Sequence, residues 1–178
     1  RKGEAEPICD TGGQRLMLQV SFKHRTWQTL TAEVAPPEAD EIERVPATIS
    51  LADFNLTSPK QVACLSLRYQ IAQKIHAVTE KPADGRPNLR HWDLIDLILL
   101  RGLGGDELPR VRDACVRIFD SRGTHDWPPM LDVPDPWQEP YRRDASEIGQ
   151  AVPSDVQGAA HVVAEFIAAI DTARSTPS

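Results

Sequence analysis

The chain lacks most of what a membrane-bound, secreted or metal-stapled protein needs. No apolar run approaches the roughly 20 residues that span a bilayer, and the opening RKGEAEPICD has no apolar core like that of a signal peptide. Cysteine is scarce: Cys9, Cys64 and Cys115 are odd in number and show no C-x-x-C spacing. That pattern argues against a disulfide framework and against a zinc site. These absences predict a soluble, cytoplasmic protein with no membrane partner. No internal repeat or low-complexity tract interrupts the chain. It opens on Arg1 rather than Met, which leads us to expect that it does not begin at its native start.

With 178 residues, one domain, or one plus a small subdomain, is expected, burying roughly two-thirds of the unfolded surface. The net charge of −6 opposes broad binding to phosphate backbones. The average conceals a pattern, since residues 58–123 hold eleven Lys/Arg against eight Asp/Glu while the flanking segments are acidic. An RNA or a triphosphate would go to that middle part, although a surplus of three charges also fits an ordinary solvated surface.

The pattern along the chain predicts an α+β protein. Arg15–Phe22 alternates as a strand should and Trp27–Val34 forms a second, with Lys23, His24 and Arg25 as the connecting turn, so an antiparallel hairpin is expected. Pro36 and Pro37 end it, an acidic loop follows, and a short strand is expected near Val45–Ile49. Ser58 and Pro59 read as a cap and first-turn proline, with Val62–Leu67 leading into a helix over Arg68–Thr79. Asn88 is the expected N-cap of a helix running to Gly102, and Asp106 that of a helix over Glu107–Asp120 with Pro109 in its first turn. The prolines between Thr124 and Trp137 predict an extended stretch, Ser154–Ala173 a final helix, and Arg174–Ser178 a frayed tail. The expected division is 1–57 as a sheet portion, 58–174 as a helical domain and 175–178 as tail.

The most informative group lies on the two middle helices. Ile71, Ile75 and Val78 recur at helical spacing with Lys74 at the edge of their stripe. On the next helix nearly every position from Leu94 to Leu100 is apolar except Asp96, which with Asp93 forms an i, i+3 pair on one face. Carboxylates in so apolar a helix need cations or donors, because unpaired buried charge is too costly to keep. Lys74 is the natural partner. Read structurally, Lys74 is expected to form a salt bridge that holds the two helices together through Asp93 or Asp96.

The same residues carry a family resemblance. Gln73-Lys74-Ile75-His76-Ala77, a loop with Asn88 and Arg90, then D-L-I-D-L from Asp93 resemble the C-terminal signature of the AbiEii/AbiGii abortive-infection nucleotidyltransferase toxins. The likeness extends back through LTAEV at Leu30–Val34 and forward through IFDSRGTHDWPP at Ile118–Pro129, covering most of the chain. It implies a polymerase-β-like nucleotidyltransferase fold, of which the first 57 residues are a sheet remnant, and a type IV toxin-antitoxin role. It further implies transfer of a nucleoside monophosphate from an NTP to an RNA end, a tRNA 3′ end above all, with Mg2+ and a cognate antitoxin.

By this resemblance Lys74 neutralises the triphosphate, Asp93 orients Lys74 or contacts the nucleotide, and Asp96 matches the second acid. Arg90 reads as a phosphate contact or, at i−3 from Asp93, as an ion-pair partner. Trp92 stands where the family commonly has a basic residue and reads as a platform for a nucleobase. Glu33 sits in the strand position of a metal-binding acid, where one carboxylate alone would hold magnesium poorly. The family's early glycine-rich turn and its D-x-D are both absent. A catalytic N-terminal half is therefore expected from another polypeptide or fragment, or is lost. In that last case the chain is an inert remnant acting as a binding or assembly subunit, and a plain helical interaction domain is the third reading. A split site predicts an exposed sheet edge and apolar face beside the hairpin.

Elsewhere, His76 is expected to be packed and hydrogen-bonded rather than a base. Gly123 suits a helix C-cap, with Thr124 and His125 satisfying exposed helix carbonyls. Trp127 and Trp137 read as lids over the apolar helices.

Overall fold

The computed structural model describes residues 6–7, 14–34, 42–48, 50–52, 55–103 and 107–173. The chain divides into two compact units, Arg1–Asp40 and Glu41–Ser178. The first is built on β1 (Glu6–Pro7), β2 (Gln14–Phe22) and β3 (Arg25–Val34), antiparallel in the order β1-β2-β3. Phe22 pairs with Arg25, so the β2–β3 connection has two residues. Lys23 (φ 47°) and His24 (φ 64°) both take the left-handed conformation, as the hairpin turn that follows strand twist requires. The pairing shifts between Val20/Gln28 and Ser21/Thr26, leaving Trp27 as a bulge.

Alternation gives this hairpin two different faces. Leu16, Leu18 and Val20 share one with Leu30, Ala32 and Val34, as their register shows. Met17, Gln19, Thr29 and Thr31 share the other with the Arg15–Glu33 ion pair. Leu18, Val20, Leu30 and Val34 nevertheless remain exposed, as do Phe22 and Trp27.

In the second unit β4 (Ile42–Pro46) pairs antiparallel with β5 (Gln61–Leu65). The expected strand at Val45–Ile49 thus lies earlier, and Ile49 is outside the described residues. Val62–Leu65 is strand rather than helix approach: Gln61–Leu65 finds a partner 19 residues upstream, a pairing that no local pattern announces. Ser58 is not a helix cap. Its Oγ accepts a hydrogen bond from Leu51 N at 2.7 Å, closing the loop between the two strands.

Five α-helices follow among the described residues: α1 (Leu67–Thr79), α2 (His91–Arg101), α3 (Leu108–Arg122), α4 (Gln138–Ile148) and α5 (Val156–Thr172). Asp155 caps α5 by accepting from Gly158 N at 2.8 Å. Gly123 ends α3 at φ 60° with its N–H on Phe119 O, a left-handed C-cap that glycine adopts without Cβ strain. The N-cap position of α3 is Glu107, while Asp106 lies outside the described residues. Helix α4, between the proline stretch and α5, was not among the expected elements.

Helix α1 packs against α2 and α3, and α5 against α2 and α3. The core between them holds Ile71, Ile75 and Val78, then Leu94, Ile95 and Leu97, then Val111, Cys115, Ile118 and Phe119, closed by Val163, Phe166 and Ile170. Each large side chain buried there contributes about 1.5–3 kcal/mol. Trp137, at the head of α4, is the largest fully buried side chain. No described helix is long and apolar enough to cross a membrane.

Candidate functional site

Helices α1 and α2 bring Lys74, Asp93 and Asp96 together. The Lys74 ammonium donates to Asp93 Oδ1 at 2.9 Å and to Asp96 Oδ2 at 2.5 Å, across 19 and 22 residues of sequence. The side chains are 28 % exposed at Lys74, 11 % at Asp93 and 42 % at Asp96, so the cluster lies at the rim of the core. Arg90 NH1 is 3.7 Å from Asp93 Oδ2, a weaker approach by a mostly solvated side chain. Burial is the largest single influence on Lys74 and pulls its pKa down, but the bonds and charges of Asp96 and Asp93 outweigh it and leave it raised. The lysine is therefore a fixed cation. Two of its three N–H groups are held by carboxylates and the third is left for solvent or for an oxygen of a ligand.

Trp92 lies one turn before Asp96 on α2, about half exposed and tilted against His91 at 5.9 Å between ring centroids. Asn88 is not the N-cap of α2, a position taken by Arg90. Its side-chain amide donates instead to Ala77 O and Glu80 O, both at 2.8 Å, while its Oδ1 accepts from Arg90 N at 2.8 Å.

Glu33, in the first unit, accepts from Arg15 Nε at 3.0 Å and from Arg15 NH2 at 2.8 Å. Among the described residues no group of three or more His, Cys, Asp and Glu side chains is arranged to hold a metal ion. Of the described carboxylates named here, Glu33 is held by Arg15 and both acids of α2 by Lys74. Cys64 and Cys115 are free thiols, burial pushes the Cys115 thiol up to about 12, and Cys9 lies outside the described residues.

Two polar clusters complete the rim. His91 Nε2 meets Asp144 Oδ2 at 2.9 Å while Arg143 Nε donates to Asp144 Oδ1 at 2.9 Å. The Arg143 bond is the main reason that the Asp144 carboxyl is held below its ordinary value despite burial. Sequence reasoning missed this pair, since 53 residues separate its members and α4 was unexpected.

The second cluster surrounds the fully buried His76. Arg122 NH1 donates to its Nδ1 at 3.2 Å, so Nε2 carries the proton and donates to Thr124 Oγ1 at 3.0 Å. Thr124 in turn donates to His125 Nδ1 at 3.1 Å, and His125 Nε2 donates to Thr79 Oγ1 at 2.8 Å. Thr79 then donates to Ile75 O at 2.7 Å. The direction follows from donor and acceptor capacity alone. Thr124 and His125 therefore bond side chains of α1 rather than the α3 carbonyls expected for them. Burial lowers the pKa of His125 against the opposing charges of Glu80 and Asp126. Trp127 packs edge-on against Phe119 and donates to Asp171 Oδ1 at 3.0 Å, and Trp137 is wholly enclosed, so both cover the helices rather than offer a stacking surface.

The likeness that these two helices carry covers nearly the whole chain, for the family model of the nucleotidyl transferase AbiEii toxin, type IV TA system, matches residues 2–172. The chain belongs to the AbiEii family. No curated protein matches it by sequence. Membership makes this a nucleotidyl transferase toxin-type chain of a type IV toxin-antitoxin system, with an antitoxin and a nucleotide as the partners that such a system implies.

Proposed function

We propose that the α1–α2 rim is the triphosphate-binding half of a nucleotidyltransferase that adds a nucleoside monophosphate to an RNA end, a tRNA 3′ end being the leading acceptor. The observation that carries this reading is the Lys74 ammonium, held on rigid helices between two carboxylates yet retaining a donor toward solvent. In such a transfer the RNA hydroxyl attacks the α-phosphorus and pyrophosphate leaves, so catalysis is chiefly positioning and neutralisation of charge. Lys74 would meet the leaving pyrophosphate, with Asp93 and Asp96 fixing its position and Arg90 supplying a second phosphate contact. Trp92 offers its exposed ring to the base.

The metal-binding elements belong, on this reading, to a second chain or fragment. The exposed apolar face of the β2–β3 hairpin supports such a partner, since a contiguous apolar face left open to solvent marks a surface for another chain. The alternative is a catalytically inert remnant acting as an assembly subunit. It is favoured by the Arg15–Glu33 pair, which occupies the strand carboxylate.

Incubation with labelled nucleotides, Mg2+ and total tRNA, alongside intact-mass analysis of whatever copurifies, separates the two. Label entering tRNA in wild type and lost in Lys74→Ala and Asp93→Ala supports the transferase. A chain that is alone, folded and inert with every nucleotide leaves the assembly subunit.

A further inference from the structure

We infer that Asn88 is the positioning residue of the Lys74–Asp93–Asp96 cluster: its amide locks the end of α1 to the start of α2 and so sets the distance between the lysine and its acids. The inference deepens the transferase reading and rests on it for its kinetic arm only.

The connection between the two helices is otherwise poorly suited to this task. Residues 81–87 are all exposed, and the ion pairs there, Lys81 with Asp132 and Arg86 with Asp84, are solvated. Exposed pairs of this kind hold geometry weakly. Asn88 bypasses that loop. Its Nδ2 donates to two carbonyls, Ala77 O and Glu80 O, at the C-terminal end of α1, where helix carbonyls lack intrahelical partners. Its Oδ1 accepts from Arg90 N, at the start of α2, where N–H groups lack theirs. One primary amide therefore satisfies both helix ends, which neither a carboxylate nor a hydroxyl can do, because the first has no donor and the second has only one.

The Asn88 backbone carbonyl accepts from Trp137 Nε1 at 2.5 Å, tying the residue to the largest of the fully buried side chains described. Leverage is short. Ala77 is three residues beyond Lys74 and Arg90 three before Asp93, about 4.5 Å along each helix. A displacement at Asn88 thus passes to the ammonium and the carboxylates with little intervening backbone to absorb it. The hydrophobic contacts between α1 and α2 hold the helices together but tolerate sliding more readily than directed hydrogen bonds do.

The test uses the full chain with isotopically labelled lysine, following the titration of the Lys74 ammonium by NMR. Asn88→Asp, nearly isosteric, removes both donors and sets a carboxylate against two carbonyls. The expected result is a folded protein in which Lys74 titrates nearer to an ordinary lysine, while a two-glycine insertion after Gly85, which spares the clamp, leaves the titration unchanged. In the tRNA-labelling assay the same substitution should lower kcat on the order of 100-fold, as misplacement by about 1 Å can, with the KM for nucleotide changing less. If Asn88→Asp does not fold, Asn88→Ser, which keeps the acceptor, serves in its place. A folded variant whose Lys74 titrates as in wild type overturns the inference, as does an insertion that shifts Lys74 where the substitution does not. Because the NMR arm needs no turnover, failure of the transferase reading would leave it intact.

Discussion

The hairpin of the first unit and the helices of the second both carry strongly patterned apolar residues, yet only the helices bury them. Trp137 is 0 % exposed and Trp27 is 77 % exposed. On α1, α2, α3 and α5 each apolar stripe meets another, and charges such as Lys74 and Asp96 are left at the rim. On β2 and β3 the alternation is equally clear, but the apolar face of Leu18, Val20, Leu30 and Val34 stays open to solvent. A periodic pattern specifies which face wants to be covered, and it takes a partner surface to cover it.

The sharpest way to break this contrast is to remove both tryptophans separately. Trp137→Ala should cost about 3–5 kcal/mol through the cavity and the lost bond to Asn88, read by chemical denaturation. Trp27→Ala should stay within about 0.5 kcal/mol, as exposed substitutions usually do. Comparable losses at the two positions would mean that a partner covers the hairpin in solution.

A smaller effect is expected at the rim. Lys74→Met leaves Asp93 without its cation and should cost about 1–2 kcal/mol, discounted for the exposure of Asp96. Because the Lys74 pKa is raised above its ordinary 10.5, its contribution is fully present below pH 10.5 and is lost as pH rises through the folded value. Wild type should therefore lose stability in that alkaline range more steeply than Lys74→Met, in denaturation curves taken at successive pH values.

On the acid side the sign reverses. The His125 pKa is lowered by burial, so the hydrogen-bond chain from Arg122 to Ile75 contributes fully above 6.5 and weakens as pH falls through the folded value. His125→Gln should flatten that part of the stability profile. Asp144, held below its ordinary 3.8 chiefly by Arg143, contributes above that pH and loses its contribution at still lower pH, and Asp144→Asn should remove this second acid step.

A change of the opposite sign belongs to the hairpin turn. Replacing Lys23 and His24 by Asn and Gly, which tolerate the observed positive φ values, should stabilise the hairpin by about 1 kcal/mol. Slower amide exchange across the Leu18–Leu30 pair would report it.

How much of this was legible beforehand depends on sequence distance. The β2–β3 hairpin is local, and its two strands and turn region follow from alternation on either side of Lys23 and His24. Helices α1, α2, α3 and α5 follow from stripes at helical period. The β4–β5 pair does not, because Gln61–Leu65 becomes a strand only when Ile42–Pro46 lies beside it. Helix α4 was missed for a related reason: Gln138–Ile148 is largely polar, and what it buries is Tyr141, Asp144 and Ala145 rather than a full apolar stripe. The Lys74–Asp93–Asp96 cluster was legible because an apolar helix advertises its few charges, whereas the His91–Asp144 pair joins two unremarkable residues on different elements.

By itself the sequence determined the amphipathic elements, the need for Asp93 and Asp96 to find a cation, and the family signature that spans them, since these rest on local spacing and on the cost of unpaired charge. Only the tertiary structure decided that Lys74 meets both acids, that Asn88 joins two helix ends instead of capping one, and that His125 bonds Thr79. Each of those is a hydrogen bond between side chains or backbone groups far apart along the chain, and its existence depends on distances of a few ångströms that packing alone fixes.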